Sequence, residues 1–190
     1  MLIQSIKTHP VTQSDTDIFG ILDQFITSLE EGSIVAVTSK IVAICEGNIR
    51  PIVGTSKEEL IYSESDEYLD APNPYGVVLT IKNNILIASA GIDESNGDSH
   101  FILWPRDPQA SANRIREYLV KKFNLHKIGV IITDSVTRPL RWGVTGISIA
   151  YSGFHALRDY RDTPDIFGRH LHFTQSNLSD GLAAAAVLVM

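Results

Sequence analysis

Three short stretches of this sequence gather side chains able to hold a hard cation and the anions that travel with it. In the first, Ala90-Gly91-Ile92-Asp93-Glu94-Ser95-Asn96, a carboxylate, a hydroxyl and an amide follow a glycine. Those groups suit a divalent cation and its phosphate ligands. The same residues also make an Asx turn, in which the Asp side chain accepts from backbone two residues on. In the second, Thr133-Asp134-Ser135 precedes Arg138-Pro139-Leu140-Arg141. Magnesium or manganese on a triphosphate takes one or two protein carboxylates, and guanidinium forks suit phosphate oxygens. An Asp–Arg ion pair closing the loop accounts for the same spacing.

The third stretch, Leu157-Arg158-Asp159-Tyr160-Arg161-Asp162 with Asp165, Gly168 and Arg169, alternates in sign. It reads as solvated surface pairs, or as Arg158, Arg161 and Arg169 set out for substrate carboxylates. His170 and His172 would share one face of a strand, but no third ligand has zinc-type spacing nearby, so a structural role is preferred. The fingerprints of a P-loop, a dinucleotide-binding Rossmann site and a nucleophile elbow are all missing from the sequence.

The elements that must position these residues follow from periodicity and end signals. Ser14 and Asp15 are placed to cap a helix whose stripe is Ile18, Ile21, Leu22, Phe25, Ile26 and Leu29, with Gly32 as its stop. Ile34 to Val37 predicts a strand, and Ile41 to Cys45 either extends it or turns into a short helix. Residues 54–75, polar and broken by Pro72 and Pro74, predict an irregular connection with one helical turn at Lys57 to Ile61. Val77 to Ile81 and Ile85 to Ala88 predict a hairpin across Lys82-Asn83-Asn84. Asp107-Pro108 opens a helix with Ile115, Leu119 and Phe123 inward. Lys127 to Thr133 predicts a buried strand that delivers Asp134 at its end, Ile147 and Ile149 another strand, and Ser179 to Met190 a final helix without a stop signal.

These elements predict a single α+β domain over residues 1–190, a length that can bury a full core. Hydrophobic residues at 44% and charged residues at 20% are the balance of a globular chain. The net charge of −6 excludes a general nucleic-acid binder. No apolar stretch is long enough for a membrane span and no signal peptide is evident, which predicts a cytoplasmic protein. Cys45 is alone, and its apolar surroundings predict a buried small hydrophobe rather than a reactive thiol.

Taken in order, these pieces resemble the family of coenzyme F420-0:L-glutamate ligases. The matching stretches are Val37 to Val42 with Glu46-Gly47, Ala90 to Asp93 with Ser95-Asn96, Asp107-Pro108, Ala112 with Arg114 to Arg116, Thr133-Asp134 with Arg138-Pro139 and Arg141, Leu157 to Arg161, Asp165 with Gly168-Arg169, and Leu182 to Met190. The resemblance implies an acid–amino-acid ligase in which GTP, with ATP as the other choice, phosphorylates a carboxylate acceptor. L-Glutamate then attacks the acyl phosphate. It further implies magnesium or manganese held by Asp93, Asp134 and Ser135. The nucleotide would meet His9, Pro10, Val11, Ser39, Lys40 and Asn96, and anionic oxygens would meet Arg138 and Arg141. The fold implied has mixed and antiparallel sheets with flanking helices, assembled as an intertwined homodimer.

Two departures bear on these expectations. Ile44 stands where the family tends to have lysine, which removes a cation near the expected nucleotide or substrate. The family also continues past Val189-Met190 into a Gly- and polar-rich segment of the triphosphate site, so the chain is expected to be shortened relative to it. A folate, with its free γ-carboxylate, is the rival acceptor. A nucleotide- or metal-binding module without ligase activity is the rival from another class.

Overall fold

The structure, a computed structural model, describes residues 1–69 and 71–190. Helix α1 (Ile18–Phe25) is capped by Asp17, whose carboxylate accepts from the Phe19 N–H at 2.9 Å. The expected cap Asp15 is committed elsewhere, to the Thr12 N–H at 2.8 Å and to His9 at 2.9 Å. The helix stops at Phe25, well short of Gly32, and Leu29 packs on the core from irregular chain. Strand β1 (Ile34–Thr38) leads directly into helix α2 (Ser39–Cys45), so the apolar run after Lys40 is helical. Val42 to Cys45 are all buried, which explains why this helix carries no polar stripe.

Strand β2 (Ile49–Pro51) is followed by helix α3 (Lys57–Glu64) and strand β3 (Glu67–Leu69). The stretch expected to be irregular is therefore largely ordered. Ser56 caps α3 by accepting from the Glu59 N–H at 3.3 Å, and Ser56-Lys57-Glu58-Glu59 carries the S-x-x-E pattern of a capping box. Strands β4 (Leu79–Lys82) and β5 (Ile85–Ala88) form the expected hairpin. Its turn residues Asn83 and Asn84 lie at φ 51° and 61°, the left-handed pair that matches strand twist. Strand β6 (His100–Ile102) pairs with β2.

Helix α4 (Pro108–Phe123) starts at the Asp107 cap, with Ile115 and Leu119 fully buried. Glu46, at the end of α2, accepts from Ser111 Oγ, from the Arg106 N–H at 3.0 Å and from Arg114 at 3.2 Å. That carboxylate locks the start of α4 to the end of α2.

Strand β7 (Gly129–Thr137) is the centre of the molecule, parallel to β1 on one side and antiparallel to β8 (Val144–Ser152) on the other. It runs on past Thr133 because β8 offers backbone partners as far as Thr137 opposite Val144, so Asp134 lies within the strand rather than at its end. Val130 and Ile132 face α1, α2 and α4 in one apolar cluster. Further along the same face, Val136 packs with Ile87, Trp104 and Ile147. Helix α5 (Leu178–Val187) covers the opposite face, where a Cβ on Gly146 would come within 2.5 Å of the Ala183 carbonyl oxygen. Strands β9 (Leu157–Asp159) and β10 (Gln175–Asn177) make a small exposed ribbon ahead of α5. His170 lies outside any strand, joined by an isolated bridge to Pro164, so the expected shared face of His170 and His172 does not form. Among the described residues no helix is long and apolar enough to cross a membrane.

Candidate metal and phosphate site

Where β1 ends, α2 swings Lys40 toward the loop after β5. Its ammonium lies 2.6 Å from Asp93 Oδ2 and 2.9 Å from Ser95 Oγ. Asp93 is anchored by its backbone, which exchanges hydrogen bonds of 3.0 and 2.8 Å with Ile102. Its other carboxylate oxygen accepts from the Ser95 N–H at 2.6 Å, so the Asx turn is present as well. Burial works against ionising Asp93, but Lys40 and the Ser95 hydroxyl and N–H together outweigh it and hold the carboxyl below its ordinary range.

Asp134 is placed by β7. A register shift between Ile132 and Thr133 sits immediately before it, and such bulges re-aim the side chains beside them. Burial pushes the Asp134 carboxyl above its ordinary range. The indole N–H of Trp104, donating at 2.5 Å, and the Ser135 N–H at 2.8 Å oppose that shift. Asp93 adds to it by repulsion, and Lys40 offsets part of it. Two carboxylates thus share the field of one ammonium. Among the described residues no group of three or more His, Cys, Asp or Glu is gathered to hold a metal ion. A cation that arrives on a triphosphate needs no such group, because phosphate oxygens and waters complete its shell around one or two carboxylates. Asp93 and Asp134 fit that demand in type and number.

The other expected residues divide. Ser39 is buried in the first turn of α2 beside Lys40, and Asn96 is exposed at φ 59° next to Ser95, so both belong to this neighbourhood. Val11 packs on Ala43, Ile44 and Ile102, which brings the His9-Pro10-Val11 segment to the far end of α2. The His9 ring there bonds Asp15 and packs against Phe25 at 5.6 Å. Ser135 leaves the strand on the face opposite Asp134, so within this chain its hydroxyl is not brought to the Asp93 carboxylate. Arg138 and Arg141 are exposed on the loop between β7 and β8. Arg138 comes within 4.0 Å of Asp180 rather than Asp134, so the expected Asp134–Arg loop pair does not form. In the charged stretch, Arg161 grips Asp159 at 2.5 Å in an exposed pair.

Trp104 was not visible as a site residue in the sequence. The only signal was the apolar run Phe101-Ile102-Leu103-Trp104 halted by Pro105, which marks a buried strand but not what lies at its end. Gly91 explains how the indole reaches the site. It sits at φ 70°, and a Cβ there would lie 2.3 Å from Trp104 Nε1.

The chain belongs to a family of enzymes, the ligases of the F420-0:gamma-glutamyl ligase family, whose sequence model matches residues 53–190. It is similar to the coenzyme F420:L-glutamate ligase of Methanocaldococcus jannaschii, 34% identical over 193 aligned residues that span 100% of this chain and 75% of that protein. The proteins of the same name from Methanopyrus kandleri (34% identical, 85% of this chain, 71% of that protein) and Methanococcus maripaludis (33%, 100% and 75%) are similar as well.

Proposed function

We propose that this chain joins L-glutamate to a carboxylate acceptor of the F420-0 type, using GTP. The single observation that carries the reading is the pair of carboxylates Asp93 and Asp134, near enough for Asp93 to raise Asp134 by repulsion, with the Lys40 ammonium 2.6 Å from Asp93. A magnesium or manganese ion held by those carboxylates would neutralise charge on the triphosphate. Lys40, Ser39, Asn96 and the His9 to Val11 segment take the nucleotide, and Arg138 and Arg141 take anionic oxygens. The γ-phosphoryl group passes to an acceptor carboxylate oxygen and GDP leaves. The glutamate amine then attacks the acyl carbon, phosphate departs and the amine releases a proton. For such chemistry the protein supplies positioning and charge neutralisation.

A homodimer belongs to the same proposal, and its support lies in the surface. Leu140 and Trp142 on one loop, and Ile166, Phe167 and Phe173 around the β9–β10 ribbon, are large apolar side chains left in solvent. A folate acceptor is the second reading, and Ile44 is the position at which the chain departs from the coenzyme-specific pattern. Ile44 is buried with Ala43 and Ile102, so it contributes packing where a lysine would contribute charge.

The test is nucleotide hydrolysis that depends on glutamate, run with GTP or ATP, Mg²⁺ or Mn²⁺, and either F420-0 or a folate. GDP release with F420-0, and a product heavier by one glutamate residue, is the expected result. Turnover only with folate would move the acceptor assignment. Nucleotide binding without turnover on either acceptor would leave the non-catalytic module.

A further inference from the structure

Trp104 is the largest fully buried side chain among the described residues and lies against the proposed site without belonging to any expected motif. Both faces of its surroundings are specified. On the Asp134 side the indole N–H donates to Oδ2 at 2.5 Å. Above the ring, the ammonium of Lys82 sits 5.7 Å from the centroid. Lys82 is itself buried and is held by Glu64 at 2.6 Å, which ties β4 to the end of α3. Gly91, by lacking a side chain, leaves the space that the indole edge occupies. A tryptophan needed only for packing would place its N–H toward any convenient carbonyl. Here it is aimed at one oxygen of a carboxylate that burial disfavours, and the ammonium of a half-buried ion pair lies over the ring.

We propose that Trp104 is a positioning residue for the ligase reaction, orienting the Asp134 carboxylate so that the remaining lone pair of Oδ1, which also accepts from the Ser135 N–H, is presented to a divalent cation. The inference rests on the reading of Asp93 and Asp134 as cation ligands. Hydrogen-bond donors behind a ligand fix its direction, and their loss weakens metal affinity by about 10- to 100-fold.

The test uses the full chain and the metal alone. Trp142→Phe leaves Trp104 as the sole tryptophan of the two in the sequence, so its indole ¹H–¹⁵N resonance can be followed by NMR. That resonance is expected to move saturably with Mg²⁺ and to stay still in the same protein carrying Asp134→Asn. Mn²⁺ binding, read from the electron paramagnetic resonance of the free ion, is expected to be about 10-fold weaker or more in Trp104→Phe. Circular dichroism should show the native fold retained. Unchanged Mn²⁺ affinity in Trp104→Phe, with binding lost in Asp134→Asn, would overturn the role of Trp104 and leave the two carboxylates standing. Binding unaffected by Asp134→Asn would overturn both. Should Trp104→Phe not fold, a Trp104 resonance that ignores Mg²⁺ overturns the inference by itself.

Discussion

Burial and charge pull the two carboxylates of the site in opposite directions, and their pH responses should separate them. Asp134 is raised, chiefly by burial, so the folded chain keeps its proton to higher pH than the unfolded chain does. Its contribution to stability is favourable at low pH and is lost as pH rises through the folded value. Asp93 is lowered, because Lys40 and Ser95 outweigh burial, so its contribution is present above the unfolded value and lost as pH falls. In EDTA, thermal unfolding of Asp134→Asn should therefore gain on the native chain as pH rises above about 4, whereas the deficit of Asp93→Asn should be complete by about pH 4 and shrink as pH falls below it. Parallel pH profiles for the two variants would mean that their environments are not as different as the geometry makes them. In activity, Asp134→Asn is expected to lose more than about 100-fold with the fold intact, because it removes a cation ligand rather than packing.

Cys45 makes a simpler case. Burial pushes its thiol up to about 11, so the native protein should resist thiol reagents at neutral pH and react once unfolded in urea. The burial of Cys45 was legible in the sequence through residue type and neighbours, and Asp93 and Asp134 stand out as candidates on the same grounds. The sequence could not reveal Trp104, because what matters there is the direction of one N–H across a gap left by Gly91.

Elements were legible wherever the end signal was local. Asp107-Pro108 and the Asn83-Asn84 turn behave as their chemistry dictates, since cap and turn geometry involve only adjacent backbone. Asp107→Ala should accordingly cost about 1 kcal/mol, measured by urea unfolding. The start of α1 was misplaced because Asp15 and Asp17 are equally good caps in isolation. Contacts with His9 and Thr12 decide between them, and those contacts come from the preceding turn. The length of β7 was underestimated for a similar reason. Thr133 to Thr137 are mostly polar, and they stay in the strand because β8 is alongside.

For the whole molecule, the α+β class could be read from the sequence, but the sheet order could not. Periodicity says that β1 and β7 are buried, yet not that they are neighbours and parallel. The exposed apolar side chains are a feature at this scale too. If they meet a second copy, sedimentation should give a dimer. Phe167→Asp combined with Phe173→Asp should shift it to a monomer of the native fold. A monomeric native chain at micromolar concentration would remove the dimer from the proposal.

The parallel pairing of Ile34 with Gly129 joins segments separated by about 95 residues, and closing so long a loop precedes any gain from the β1–β7 pairing. On a ribosome adding about 5 to 20 residues per second, β1 waits about 5 to 20 s for its partner, and Lys40 waits with it. Refolding of this chain should then be slow for its size, and β1 should be the last strand to gain protection from hydrogen exchange.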